Sequence, residues 1–168
     1  SGDLSIETTG GAILVQAASA HPSNTAVIEA TSGILNFLRG GNLTIQAQAG
    51  APAYCRADSV QIGSVAPISG VSILGGSHPI LNSVAYIETI TGNLTVGNIS
   101  GALSIFGGSA STSNYARIFI PAGSFITTGS IGNMSIAGNT GPGYIETWNN
   151  FSYNGGSWQD DYVEGMHI

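Results

Sequence analysis

Lysine is absent from this sequence, and arginine occurs only as Arg39, Arg56 and Arg117. Without lysine there is no Walker-type phosphate loop, no Schiff-base lysine and no Ser–Lys catalytic pair. Three arginines against nine acidic residues leave a net charge of −6. Nucleic-acid binders need clustered cations to displace phosphate counterions, and docking on anionic lipid needs a polybasic segment. Neither is present, so the expected partners include no nucleic acid, and no membrane insertion is expected. Cysteine is nearly absent too. Cys55 stands alone, which rules out an intrachain disulfide, and with no charged activator nearby in sequence it reads as a buried, inert thiol.

Long apolar runs are missing, as is a basic-then-apolar leader, and residue 1 already begins a repeat. The expectation is that a leader or upstream repeats have been removed. No stretch holds a 3.6-residue period over three turns, so essentially no helix is expected. No G-x-S-x-G elbow and no H-E-x-x-H motif occurs. His21, His78 and His167 lie apart from the acidic residues and from Cys55, so no metal or cofactor site is expected. His21-Pro22 and His78-Pro79 occupy equivalent loops and read as conformational punctuation.

What is present is glycine, 25 residues of it, and a repeated strand. Gly2-Asp3-Leu4-Ser5-Ile6 returns as Gly41-Asn42-Leu43-Thr44-Ile45, as Gly92-Asn93-Leu94-Thr95-Val96 and as Gly132-Asn133-Met134-Ser135-Ile136. In each copy the apolar residues face one way and the Asp, Asn, Ser or Thr residues the other, the signature of a half-buried strand. Nine residues after each opening glycine comes another: Gly11, Gly50, Gly101 and Gly141. Charged residues are only 7% of the chain, while 42% is apolar. That balance suits strands stacked in register, where like charges would face each other every ~4.8 Å. The sequons at Asn42, Asn93, Asn98, Asn133 and Asn150 are read mostly as by-products of the repeat.

The units start at residues 2, 41, 92 and 132. Asn24 and Asn114 hold the same place after their opening glycines, as do Ile28 and Ile118, and 34–38 corresponds to 124–128. In the second unit the equivalent isoleucine, Ile87, comes 20 residues late, with Tyr54, Cys55, Arg56 and Asp58 in the extra stretch 51–70. An insertion of half a unit implies a coil of about 20 residues, because whole coils add to a stack without breaking its core.

Three carboxylates, Glu29, Glu88 and Glu146, recur in an Ile-Glu motif. Glycosidic chemistry needs two carboxyl groups roughly 5 to 9 Å apart, within reach of neighbouring coils. Phe119 takes the equivalent place in the third unit, and no Arg or Lys accompanies the three in sequence. They are therefore expected to form a solvated outward ladder, with no hydrolase or lyase activity. Beyond residue 148 the pattern stops. Trp148, Phe151, Tyr153, Trp158 and Tyr162 concentrate aromatic area there, and Asp160-Asp161 with Glu164 offers a weak calcium-type oxygen cluster. The segment 149–168 is expected to be a cap, a linker or an assembly element, and its four aromatics, with Trp148 just before it, the anchors for self-association or for an adjacent domain.

The four G-[DN]-[LM]-[ST]-[IV] copies resemble repeats of the filamentous-haemagglutinin type over about residues 2–148. That resemblance implies a right-handed parallel β-helix of G-x-L-x-[IVL] coils in a secreted or surface-exposed bacterial adhesin, stalk or fibre. Gly10-Gly11-Ala12-Ile13 also resembles the GGA[ILV] motif of chlamydial polymorphic membrane proteins, whose partner motif F-x-x-N is absent. The expected fold is all-β, a parallel β-solenoid over 1–148, with an antiparallel sandwich or jelly roll as the alternative. The expected function is non-enzymatic and structural or adhesive, extracellular or at the cell surface, assembling through its ends and facing a host surface or glycan. Two alternatives are a polysaccharide-binding or -degrading β-helix such as a phage tailspike, and an ice-binding solenoid displaying Asn-x-Thr columns.

Overall fold

The alternation dictates strands, and strands are what the computed structural model contains. It describes residues 2–18 and 24–155, together with the backbone of 158–160. In chain order the strands are β1 (Leu4–Glu7), β2 (Ile13–Gln16), β3 (Ala26–Gln46), β4 (Ala53–Ile62), β5 (Ile68–Leu74), β6 (Ala85–Thr89) and β7 (Leu94–Val96). They continue with β8 (Ile99–Phe106), β9 (Ala116–Ile120), β10 (Phe125–Thr127), β11 (Ile131–Ala137), β12 (Gly143–Thr147), β13 (Phe151–Ser152) and β14 (Trp158–Asp160).

Each strand pairs in parallel with strands one coil away, so the chain winds into a β-solenoid with three faces. The first face stacks 26–30 of β3, 53–57 of β4, then β6, β9 and β12. The second stacks β1, 34–37 of β3, 59–62 of β4, then β7, β10 and β13. The third stacks β2, 40–46 of β3, then β5, β8, β11 and β14. Every pairing between named strands is parallel, which sets the sandwich aside.

The coil is longer than the sequence suggested. Leu4 pairs with Leu35, Leu94 with Phe125, and Leu103 with Met134, steps of about 31 residues rather than about 20. The stretch 51–70 is no insertion: Ala53 sits between Ala26 and Ala85 in the first face as an ordinary rung. All three faces demand the same inward–outward alternation, so the repeated motif marks a strand without saying which face it belongs to. Leu4 and Leu94 lie on the second face, Leu43 and Met134 on the third.

The inward columns form one core. Leu35, Val60, Leu94 and Phe125 are fully buried on the second face, and Leu43, Val71, Leu103 and Met134 are buried on the third. The first face contributes Cys55, Ile87 and Ile118 beside an alanine column, Ala53, Ala85 and Ala116. Each large aliphatic side chain buried this way contributes ~1.5–3 kcal/mol. Leu4 shares the inward column of Leu35 but stays 38% exposed, because it lies in the outermost described coil.

At the corners the repeat's polar residue does specific work. Asp3 Oδ1 accepts the Ile34 N–H at 2.9 Å, and the equivalent Asn93 Oδ1 accepts the Ser124 N–H at 2.8 Å. Each side chain thus satisfies a backbone donor of the next coil. Gly63 turns at φ +65°, and a Cβ there would lie 2.5 Å from the Asn98 carbonyl oxygen. Asn114, fully buried, accepts the Ser83 N–H at 3.0 Å and donates to the His78 carbonyl at 2.8 Å. His78 Nδ1 in turn accepts the N–H groups of Ile80 and Leu81 at 3.1 and 2.8 Å, holding the loop before the first face. His78 is thus the punctuation expected of it; His21 and Pro22 lie outside the described residues.

Candidate functional site

Outward side chains on the first face fall into two columns, because parallel in-register strands repeat every position at the strand spacing. One column runs Val27, Tyr54, Tyr86, Arg117, Tyr144; the other runs Glu29, Arg56, Glu88, Phe119, Glu146. The second column never places like charges on adjacent rungs. Arg56 separates Glu29 from Glu88, with its Nη1 3.5 Å from Glu29 and its Nε 3.5 Å from Glu88. Phe119 separates Glu88 from Glu146. Glu29, Glu88 and Glu146 therefore form the expected ladder. The expectation that no basic residue accompanies them is corrected: Arg56 and Arg117 both do, delivered by rungs distant in sequence.

The aromatic column is ordered by the same geometry. The rings of Tyr54 and Tyr86 stack 4.6 Å apart at an angle of 3°. The Arg117 guanidinium carbon lies 4.4 Å from the Phe119 ring centre, 5.3 Å from Tyr115 and 5.7 Å from Tyr86. Arg117 Nη1 reaches the Tyr144 hydroxyl at 3.5 Å and Glu146 at 3.8 Å, while its buried Nε has no hydrogen-bond partner. Burial pushes the Tyr86 phenol up to about 12, helped by Tyr54, Glu88 and Tyr115 and opposed by Arg117. Burial also raises Tyr144, against the pull of Arg117. Beside this column opens a cleft of about 610 Å³, lined by Pro52, Ile80, Leu81, Asn82, Val84, Tyr86, Tyr115 and Arg117.

The tail aromatics are spread around the stack. Trp148 follows the first face, 66% exposed, edge-on to Phe119 at 6.5 Å, and donates from Nε1 to Glu146 at 3.2 Å. Phe151 stacks on Phe125 at 4.8 Å and, with Tyr153, packs against the core. The backbone of Trp158 pairs with Met134 on the third face; Tyr162, Asp161 and Glu164 lie outside the described residues. Cys55 is buried between Ile28 and Ile87 in the first face's inward column, and burial raises its thiol to about 12. The Asn-x-Thr motifs split between faces, Asn42 and Thr44 on the third, Asn93 and Thr95 on the second.

Sequence reasoning singled out the stretch 54–58 as a candidate groove for a polysaccharide but missed Arg117 and the place of Arg56 among the glutamates. The signal that finds them is the alternation shared by Tyr54-Cys55-Arg56, Tyr86-Ile87-Glu88, Arg117-Ile118-Phe119 and Tyr144-Ile145-Glu146, read as consecutive rungs. No family model matches the chain, and neither a curated protein nor a solved structure matches it.

Proposed function

We propose that this chain is a non-enzymatic structural and adhesive β-solenoid, working at the cell surface or outside the cell as part of a fibre. This is the role implied by its resemblance to filamentous-haemagglutinin-type repeats. The observation that carries it is the concentration of outward tyrosines, arginines and glutamates on one of three faces, at the fixed spacing of a parallel stack; the second face carries the Glu7–Arg39 pair and the third an exposed Phe106. A side face of that kind holds many weak contact groups in register at no further ordering cost, which is what adhesion to an extended surface requires. On that face Arg56 stands between Glu29 and Glu88, and Phe119 between Glu88 and Glu146, so the carboxylates serve as spaced polar contact groups in this reading. Among the described residues, β1 and β2 pair only with β3, and β12, β13 and β14 each pair on one edge. Such edges accept a further coil, from a second copy or an adjoining segment.

Beads coated with the chain test the reading. They are expected to hold to polysaccharide- or cell-coated surfaces under flow, with adhesion lost when Tyr86 and Arg117 are both changed to serine. Incubation with a polysaccharide panel is expected to release no reducing or unsaturated ends. Absence of adhesion overturns the adhesive role; turnover that disappears in Glu88→Gln overturns the non-enzymatic one.

A further inference from the structure

We infer that the cleft beside Tyr86, Tyr115 and Arg117 is a binding site for a neutral sugar ring of a glycan. The inference rests on the adhesive reading and narrows its face to one site and one ligand class. The cleft's volume, about 610 Å³, lies within the range of small-molecule sites. Its lining mixes apolar walls with a few polar groups. Pro52, Ile80, Leu81 and Val84 supply apolar area, Tyr86 and Tyr115 rings, and Arg117 and Asn82 polar groups.

Arg117 points to a ligand rich in oxygen acceptors. A guanidinium carries five N–H donors; among the described residues Arg117 reaches the Tyr144 hydroxyl at 3.5 Å and Glu146 at 3.8 Å, both through Nη1, and its buried Nε makes no hydrogen bond. Leaving buried donors unpaired is costly, so an acceptor placed in the cleft gains the difference. A purely apolar occupant would bury Arg117 further without pairing it. A polyanion is disfavoured because the face carries Glu29, Glu88 and Glu146 against only Arg56 and Arg117. A neutral pyranose answers each demand. Its C–H face lies against the apolar lining, its hydroxyls accept from Arg117, and they exchange hydrogen bonds with the Asn82 amide. Tyrosine, with an apolar ring and a polar tip, suits that mixed surface. The raised phenol of Tyr86 stays protonated and hence able to donate at any physiological pH.

Titration of the full chain with a panel of neutral hexose oligosaccharides, followed by tyrosine fluorescence and calorimetry, tests the site. At least one neutral member is expected to bind, with affinity falling about tenfold or more in Tyr86→Ala and in Arg117→Gln. Ile80→Ser keeps the test open should those variants misfold. Ile80 is 82% exposed, and the change is expected to weaken binding without altering the fold. Gln46→Ala, on the third face, is expected to bind as the parent does. Absence of binding at millimolar sugar overturns the site. So does binding that Tyr86→Ala, Arg117→Gln and Ile80→Ser all leave unchanged, or, in a parallel titration with carboxylated and sulfated saccharides, binding confined to those. Beads that adhere but are not released by the neutral sugar overturn this inference alone, while beads that never adhere overturn the adhesive reading.

Discussion

The first and third faces of the solenoid solve the same inward problem and differ outward. Inward, Ile87 on the first face and Leu43 on the third are both fully buried. Outward, the third face follows Leu14 with a column of small hydroxyls, Thr44, Ser72, Ser104 and Ser135. The first face stacks tyrosines, arginines and glutamates. Folding needs only that outward groups tolerate their neighbours one rung away, and the hydroxyl column meets that need at little cost in side-chain entropy. The larger, more ordered groups of the first face exceed it. The difference teaches that inward positions carry the fold, while the content of outward positions is free to carry recognition.

Inward positions should not distinguish the faces, and this is where the largest effects are expected. Leu43→Asp and Ile87→Asp each bury an unpaired carboxylate. Each is expected to cost several kcal/mol, a large share of a typical stability of ~5–15 kcal/mol. Asn42→Asp, exposed beside Leu43, is expected to be nearly neutral. Thermal denaturation of the three variants is the check; equal shifts for Leu43→Asp and Asn42→Asp would break the inward–outward division.

Outward positions should distinguish the faces. Arg56→Glu places three carboxylates on consecutive rungs, Glu29, residue 56 and Glu88, and is expected to destabilise by about 1 kcal/mol in dilute buffer. Most of that loss is expected to disappear near 1 M salt. Thr44→Glu on the third face, between Leu14 and Ser72, is expected to cost less and to respond weakly to salt. Denaturant melts at two ionic strengths compare them, and equal salt responses would erase the electrostatic difference between the faces.

Alternation was fully legible in the sequence, because burial fixes it residue by residue. The Ile-Glu column was legible for the same reason: Ile28, Ile87, Ile118 and Ile145 share one inward column. Coil length was not. A strand on any of three faces obeys the same rule, so copies at residues 4, 43, 94 and 134 mark strands without marking a coil. That ambiguity hid Arg56 and Arg117, which lie among the glutamates in space and far from them along the chain. The corner role of Asp3 and Asn93 was equally hidden, since their partners, the amides of Ile34 and Ser124, belong to the next coil.

The smallest effect concerns Tyr86. Its folded phenol is raised from 10.0 to about 12, so the folded state holds its proton where the unfolded chain has released it. The stability this contributes is complete below pH 10 and is lost as pH rises toward 12. The slope of melting temperature against pH over that window is expected to flatten in Tyr86→Phe. An unchanged slope would mean that the first face does not shield its tyrosines.

The central claim is that the rung carrying Arg56 lies between those carrying Glu29 and Glu88. Paired cysteines in a Cys55→Ala background test it directly, because a disulfide forms only when the Cα atoms are within about 7 Å. Arg56→Cys with Glu88→Cys, adjacent rungs 32 residues apart in sequence, is expected to close an intrachain disulfide under mild oxidation. Glu29→Cys with Glu88→Cys, two rungs and roughly 9.5 Å apart, is expected to stay reduced or to link between molecules. Ready intrachain closure of the second pair, with none in the first, would contradict the three-faced coil of about 31 residues and the site built on it.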